Sequence, residues 1–348
     1  MLTRSAKFAL TVLILALSLV SAAILGASKK PAGSALLKVP LGLDPEVSKW
    51  IPADNPLTPE KIELGKKLYF DPRLSVDGNI SCATCHHPTF GFSNGAPVAA
   101  GFQGQIGNRN CPTVLNRLYS KAQFWDGRAA SLEDQALGPV QNPIEMANTL
   151  HGMTGALNKI IGYKAEFKKA FGSEEITPQR VAQAIASFER TLLSGNSAFD
   201  RFQAGDTSAL SPSAQRGLAI FKGKGNCAEC HPAPNFTDEK YHNLGVGMDK
   251  PNPDLGRYMV TKRETDKGAF KTPTLRDIAE TGPYLHDGSE ATLEAVVELY
   301  DRGGVPNPNL DRDMKPLGLT KEDQQDLIAF LESLTGESNK VEEPVLPK

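Results

Sequence analysis

The chain is organised around Cys82-Ala83-Thr84-Cys85-His86, in which two cysteines are separated by two residues and a histidine follows directly. This spacing is the attachment signature of a c-type haem. On one helical turn both sulfurs reach the vinyl groups of the haem as thioethers, and the histidine is placed to ligate the iron. Paired cysteines also occur in zinc sites and redox dithiols. A single copy of the pentad predicts a haem site and leaves those two alternatives open.

The same pentad returns as Cys227-Ala228-Glu229-Cys230-His231 in similar surroundings. The apolar segment Leu64–Phe70 precedes the first copy, Arg216–Phe221 precedes the second, and a proline and a phenylalanine follow each copy closely. An internal repeat of this kind indicates two related units in tandem. We expect a mostly α protein of two cytochrome c-like domains, each with one covalently bound c-type haem.

Composition is that of an ordinary folded protein. The 348 residues are 40% hydrophobic and 22% charged, and the net charge of −2 gives no reason to expect a nucleic-acid partner. Four of the five cysteines are used by the two pentads, so no disulfide framework is implied. We expect the fifth, Cys111, to be a small buried side chain.

The N-terminus has the pattern of an export signal. Arg4 and Lys7 precede an apolar run from Phe8 to Ala27, and Ser21-Ala22-Ala23 offers small residues for cleavage. We expect residues 1–27 to be a cleaved signal or a retained membrane anchor, with the folded part in the periplasm. Residues 28–48, rich in Pro, Gly and Lys, are interpreted as a linker.

Four predicted helix starts lie in the chain after residue 48. A threonine cap before an apolar periodic segment predicts a helix, and a proline at the first position strengthens the prediction. We expect an N-terminal haem domain over residues 49–200, a C-terminal haem domain over 201–336 and a disordered tail over 337–348. The predicted caps are Thr58, Thr177, Thr292 and Thr320.

Residues 58–335 resemble the bacterial di-haem cytochrome c peroxidase family, which includes the MauG-type di-haem oxidases. The stretches that carry the resemblance follow the family's order and nearly its spacing. The resemblance implies that peroxide reacts at the N-terminal haem and that the C-terminal haem collects electrons. The stretches are Gly107–Asn116, Gln123–Ala129, Gln135–Pro139, Asn142–Met146, Thr272–Arg276 and Thr281–Gly288.

The resemblance also implies roles for individual residues. His86 ligates the peroxidatic iron, His231 ligates the electron-transfer iron, and Trp125 lies between the two haems as a relay. For Trp125 the alternative is an ordinary core residue. Arg128 is expected to pair with a haem propionate or to brace its loop, and His286 to bond a propionate.

Gln135 and Glu145 match the polar pair of the family's peroxide pocket. Peroxide cleavage needs a group that moves a proton between the two oxygens, which suits Glu145 as a general acid and base. Burial over a haem is expected to raise the pKa of this carboxyl. Gln135 would position the peroxide. The alternatives are a surface carboxylate on a loop and an amide on a helix surface.

A calcium ion between the haems is a further implication of the resemblance. Asn110 matches its side-chain ligand, and Thr281 and Pro283 match the backbone carbonyls. Calcium takes six or more oxygens, so water must complete the shell. The alternative is that Asn110 caps a turn.

Two positions depart from the peroxidase pattern. The standard enzymes carry a histidine sixteen residues after the proximal ligand that blocks the resting iron, and Phe102 stands there in this chain. Because phenylalanine cannot ligate iron, we expect a peroxidatic haem that is open at rest. Standard members use a methionine as the sixth ligand of the electron-transfer haem, and Tyr300 stands at that position in this chain. MauG-type enzymes use a tyrosine there. The rival ligands are His242, Met248, Met259 and Met314.

Three functions remain open. The first is a periplasmic di-haem peroxidase that reduces hydrogen peroxide with electrons from a small cytochrome c or copper protein. The second is a MauG-type oxidase that withdraws electrons from a Tyr or Trp of a partner protein. The third is a non-enzymatic di-haem electron carrier, which requires the N-terminal iron to be six-coordinate. Family members are often dimers, so a homodimer is one expectation.

Overall fold

Helices predominate in the computed structural model, which describes residues 33–338 and 340–348. The predicted export signal over residues 1–27 lies outside the described residues. Among the helices of the described part, none combines the length and the apolar character needed to cross a bilayer. The α-helices are α1 Pro59–Phe70, α2 Cys82–Cys85, α3 Leu132–Gln141, α4 Leu150–Asn158, α5 Ile161–Phe171, α6 Pro178–Glu189, α7 Ala198–Gln203, α8 Pro212–Lys222, α9 Tyr258–Thr261, α10 Leu293–Asp301 and α11 Lys321–Glu332.

Strands are confined to two short antiparallel pairs in the described residues. Strand β1 (Ser194–Gly195) pairs with β4 (Glu337–Ser338), with Ser194 opposite Ser338. Strand β2 (Tyr241–His242) pairs with β3 (Phe270–Lys271), with Tyr241 opposite Lys271. The mostly α prediction is therefore confirmed.

Each predicted threonine cap begins a helix. The side-chain oxygen of the threonine accepts a hydrogen bond from a backbone N–H in the first turn, which satisfies a donor that the helix itself cannot pair. The pairs are Thr58 with Lys61 in α1, Thr177 with Arg180 in α6, Thr292 with Ala295 in α10 and Thr320 with Asp323 in α11.

Two hydrophobic cores follow one another along the chain. The first runs from Leu64 to Leu192 and defines the N-terminal half, and the second runs from Phe199 to Leu334 and defines the C-terminal half. Phe199 thus packs in the second core, although the sequence suggests a boundary after residue 200. The tandem arrangement of two related units is otherwise as predicted.

The same helix crossing occurs in both halves. Helix α1 packs on α6, and α8 packs on α11. A glycine lies at each crossing: a Cβ on Gly65 would lie 1.8 Å from the carbonyl oxygen of Ala184, and one on Gly217 would lie 1.9 Å from that of Asp326. Only a residue without a side chain allows the helix backbones to approach this closely.

The described part of the predicted linker is packed rather than free. Leu37, Leu43 and Val47 are buried in a third cluster, together with Leu118 and other residues of the N-terminal half. The linker prediction rests on the content of Pro, Gly and Lys, which indicates only that helices are disfavoured there. Composition does not show whether isolated leucines and valines pack against an apolar surface elsewhere in the protein.

The predicted disorder of the tail is wrong for the described residues. Beyond the β1–β4 pair, Val341 packs against the N-terminal core. The backbone N–H of Gly162 donates to the carbonyl of Lys348 at 3.0 Å, and Arg73 donates to the carbonyl of Pro347 at 3.0 Å. These partners lie far away in sequence, so the composition of the tail could not predict them.

Candidate haem sites

Both proximal histidines are held in the same way. Nδ1 of His86 lies 3.2 Å from the carbonyl oxygen of Phe92, and Nδ1 of His231 lies 2.9 Å from that of Phe236. Burial lowers the pKa of His86 and lowers that of His231 to about 4, so both imidazoles are neutral. A neutral ring whose Nδ1 donates to a carbonyl leaves Nε2 free for a metal.

The paired cysteines complete the chemistry that a c-type haem requires. Cys82 and Cys85 bound the single turn of α2, which Ser81 and Thr84 close with reciprocal hydrogen bonds. Cys227 begins a 3₁₀ turn. Burial raises the pKa of Cys82 and raises that of Cys227 to about 12, whereas a hydrogen bond with Cys111 lowers the pKa of Cys85. The repeated pair of cysteines followed by a neutral histidine fits two covalently attached haems.

A cavity opens beside each pentad. The N-terminal cavity, beside His86, has a volume of about 860 Å³, and the C-terminal cavity, beside His231, has a volume of about 220 Å³. Trp125 lines both cavities. Its indole N–H donates to the carbonyl of Asn110 at 2.9 Å, and its own carbonyl accepts from Lys271 at 2.7 Å. The ring is therefore held between the two sites, as a relay would be.

Gln135 and Glu145 line the N-terminal cavity and not the C-terminal one. Oε1 of Glu145 accepts a hydrogen bond from the side-chain amide of Asn142 at 2.8 Å. Burial raises the pKa of Glu145, while Asn142 and Arg128 act in the opposite direction. The cavity thus holds a carboxyl that keeps a proton above its ordinary pH range, as the sequence predicts.

Arg128 braces its own loop. Its guanidinium bonds both carboxylate oxygens of Asp126 at 3.0 and 3.1 Å and stacks on Phe124 at 3.5 Å from the ring centroid. It also lines the N-terminal cavity. His286 lines both cavities and stacks on Phe270, with ring centroids 3.6 Å apart. Burial lowers the pKa of His286 to about 4, so this ring is neutral.

Two of the three expected calcium ligands, Asn110 and Pro283, are in contact. The amide of Asn110 is surrounded by the carbonyl oxygens of Pro283 at 3.3 Å and of Ala96 and Pro97 at 3.2 Å. Thr281 and Pro283 line the same cavity as Asn110. A group of convergent carbonyls with an adjacent amide is the donor chemistry that calcium prefers.

Phe102 lies against the loop that carries the carboxyl of the N-terminal cavity. Its backbone N–H donates to the carbonyl of Glu145 at 2.8 Å and to that of Ile144 at 3.0 Å. The phenyl ring packs against the N-terminal core and is not among the residues that line the cavity. The position of the family's blocking histidine is thus occupied by a side chain that faces the core.

Tyr300, on α10, lines the C-terminal cavity. Burial raises the pKa of its hydroxyl, with smaller contributions from Cys227 and Cys230. Of its rivals, His242 has both ring nitrogens engaged, Nδ1 with Asp311 at 2.6 Å and Nε2 with Asp238 at 3.1 Å.

The methionine rivals divide by position. Met248 lines neither cavity, Met259 lines the N-terminal one, and Met314 lines the C-terminal one. Tyr300 and Met314 are therefore the two candidates for the second iron.

The sequence analysis assigns no role at the haem sites to three residues that line both cavities. Cys111, expected to be buried, is only half-buried there. The other two are the cations Arg117 and Lys271, and neither stands at a position that local spacing would select. Lys271 adjoins the Thr272–Arg276 stretch, which is the one signal in the sequence that could have drawn attention to it.

Two family models match the chain. The model described as di-haem cytochrome c peroxidase matches residues 59–208, and the one described as cytochrome c matches residues 214–335. The boundary between the two matches falls close to the boundary between the two cores.

Proteins similar to this chain are named MauG, cytochrome c peroxidase or MauG-like protein. The methylamine utilization protein MauG of Methylorubrum extorquens is 46% identical over 299 residues, covering 85% of this chain and 84% of that protein. The cytochrome c551 peroxidase of Nitrosomonas europaea is 42% identical, covering 85% and 86%. The crystal structure of a MauG-like protein associated with microbial copper homeostasis has a TM-score of 0.75 and 31% identity, covering 82% and 92%.

Proposed function

Because the chain belongs to the di-haem cytochrome c peroxidase family, we propose that it is a periplasmic enzyme that reduces hydrogen peroxide to water with electrons from a small cytochrome c or copper protein. Each peroxide takes up two electrons and two protons and gives two water molecules. When bound, the haems supply the iron at which peroxide reacts and the iron that stores the incoming electrons. The observation that carries the proposal is that Trp125 lines both cavities, whereas Glu145 and Gln135 line only the N-terminal one.

The residues of the N-terminal cavity suit the proton chemistry. Glu145 would accept a proton from the near oxygen of peroxide and return it to the far oxygen, and burial raises the pKa of this carboxyl, which makes its protonated form easier to reach than that of an exposed glutamate. Gln135 cannot titrate, so it would orient the peroxide by hydrogen bonding. The test is steady-state peroxide consumption by the holoprotein with reduced cytochrome c. Two bound haems without turnover, with copper-protein donors also failing, would refute the peroxidase proposal.

The resting N-terminal iron should be open to peroxide, since Phe102 has no lone pair and packs towards the core. Electron paramagnetic resonance of the oxidised protein is expected to show a high-spin ferric signal without prior reduction. Two low-spin signals would instead support a di-haem electron carrier, in which both irons have six ligands.

A MauG-type oxidase is the second candidate, and the position of Tyr300 in the C-terminal cavity favours it. A tyrosinate ligand is anionic and lowers the potential of its haem. Tyr300→Phe is then expected to change the spin state of the second haem, while Met314→Leu leaves it unchanged. Peroxide that produces a long-lived oxidised state, with poor turnover of reduced cytochrome c, would select this function over the first.

Calcium is proposed as a structural ion at Asn110, with Thr281 and Pro283 as carbonyl ligands. The three carbonyls around the Asn110 amide support this proposal, because turning the side-chain oxygen inward would give a convergent group of oxygens. Chelation followed by metal analysis tests it. Asn110→Ala should release the ion, and a protein that contains no calcium as isolated and does not bind added calcium would refute the site.

A further inference from the structure

Two cations lie between the haem cavities, and no motif assigns a role to either. Arg117 and Lys271 line both cavities. Lys271 is only 5% exposed, and its Nζ lies 3.5 Å from Oε1 of Glu239. That carboxylate already accepts a hydrogen bond from the hydroxyl of Ser120 at 2.9 Å. The ammonium therefore has one long contact and further donors without acceptors among the described residues.

Arg117 has no carboxylate partner within the described part of the chain. Its Nε and Nη2 donate to Oε1 of Gln123 at 2.9 and 2.7 Å, and Nη2 also donates to the carbonyl of Ala122 at 3.1 Å. These acceptors are neutral. Burial lowers the pKa of this guanidinium, with Glu239 and Glu189 opposing the shift. A guanidinium in such surroundings is stabilised when an anion approaches it.

Few carboxylates lie near these two cations. Among the described residues Glu239 is the one carboxylate that contacts either cation, at 3.5 Å from Nζ of Lys271, and Asp238 acts on Lys271 from a greater distance. Glu189 also lines the N-terminal cavity, but burial raises its pKa to about 8, so it is mostly neutral at pH 7. Burial, reinforced by Arg117, lowers the pKa of Lys271 to about 7, so an anion placed beside this side chain would stabilise its charged form. The only anionic groups that a haem brings into such a cavity are its propionates.

We propose that Arg117 and Lys271 form one cationic site that binds propionate carboxylates of both haems. Both residues line both cavities, so one pair of cations can act on the two irons together. A positive charge beside a haem favours its reduced form and raises its potential. The inference rests on the proposed function only in requiring that both haems are bound.

Spectroelectrochemical titration of the holoprotein tests the site. Arg117→Gln is expected to lower the potentials of both haems, with a change of about tenfold in the oxidised-to-reduced ratio at fixed applied potential, or 59 mV for a one-electron couple. Lys271→Met should lower both in the same direction. Lys121→Met is the matched control, because Lys121 is an exposed cation on the same loop as Arg117 and lines neither cavity.

A conservative variant separates charge from structure. Arg117→Lys keeps the charge but loses the bonds to Gln123 and Ala122, so it should keep both potentials near those of the wild type. If Arg117 only braces its loop, Lys and Gln variants will behave alike, and the inference is overturned. A shift confined to one haem overturns the shared site. Haem content is measured first: a wild-type protein with fewer than two haems refutes the proposed function as well, whereas two haems with unshifted potentials refute this inference alone.

Discussion

Both halves contain a matching set of packed aromatic rings, and one residue of each set bonds the proximal histidine. The backbone carbonyl of Phe92 accepts from Nδ1 of His86, and that of Phe236 accepts from Nδ1 of His231, so one residue of each set fixes both the core and the ligand. The rings lie 4.9 to 6.5 Å apart within each set. They are Phe188, Tyr69 and Phe92 in the N-terminal half and Phe330, Phe221 and Phe236 in the C-terminal half.

On the cavity side the halves differ. The N-terminal cavity is larger and holds Gln135 and Glu145, whereas the C-terminal cavity is smaller and holds Tyr300. The parts that hold a haem are repeated, and the parts that decide what its iron does are not. A duplicated fold can therefore supply a reactive site and an electron-delivery site by changing a few residues at the cavity walls.

The carboxyl of the N-terminal cavity carries the largest expected effect. Glu145→Gln removes the proton-transfer group, and we expect peroxide turnover to fall by about 10²–10⁴. Steady-state assays with reduced cytochrome c measure this, with haem content and resting spectra unchanged. Glu294→Gln is the control, because Glu294 is exposed on the helix that carries Tyr300. Equal losses in both variants would remove the functional difference between the cavities.

The repeated helix crossing is expected to be similarly sensitive in both halves. Gly65→Ala and Gly217→Ala each force a methyl group into the backbone of the facing helix, at a cost of about 1–3 kcal/mol in the free energy of unfolding. Denaturant unfolding of the holoprotein measures the cost. Gly155→Ala, in α4, places its methyl group in open space and should instead stabilise by about 0.5–1 kcal/mol. Similar effects at all three sites would mean that the crossings have no special role.

Trp125 connects the two halves. Trp125→Phe replaces an oxidisable ring by one that is harder to oxidise, and we expect electron transfer between the haems to slow about tenfold, or ~1.4 kcal/mol on the barrier. Stopped-flow spectroscopy after peroxide addition follows the oxidation of the C-terminal haem. Trp50→Phe makes the same change at a residue that lines neither cavity. An unchanged rate in the Trp125 variant would show that electrons pass by another route.

The features that the two halves of the molecule share were predictable from the sequence. The pentads, the threonine caps and the helices before each pentad are local patterns whose physics acts within a few residues. Composition does not reveal the distant partners on which the packing of two segments depends, Leu118 for residues 33–48 and Arg73 and Gly162 for residues 340–348. Arg117 and Lys271 were missed for the same reason, because only the fold brings the two cations to one place.

The finest difference between the halves is one hydroxyl group. Tyr69 donates to the carbonyl of His86 at 2.7 Å, and Phe221, which takes the same place beside Phe236 and Phe330, cannot donate. Tyr69→Phe gives this position the phenyl ring that Phe221 has in the other half and loses one buried hydrogen bond, so the free energy of unfolding should fall by about 0.5–1.5 kcal/mol. Turnover should be unchanged, because the ring still supports the histidine, as Phe221 does in the other half. A loss of activity without a loss of stability would mean that the hydroxyl tunes the proximal ligand, and the two halves would then differ on the proximal side of the haem as well.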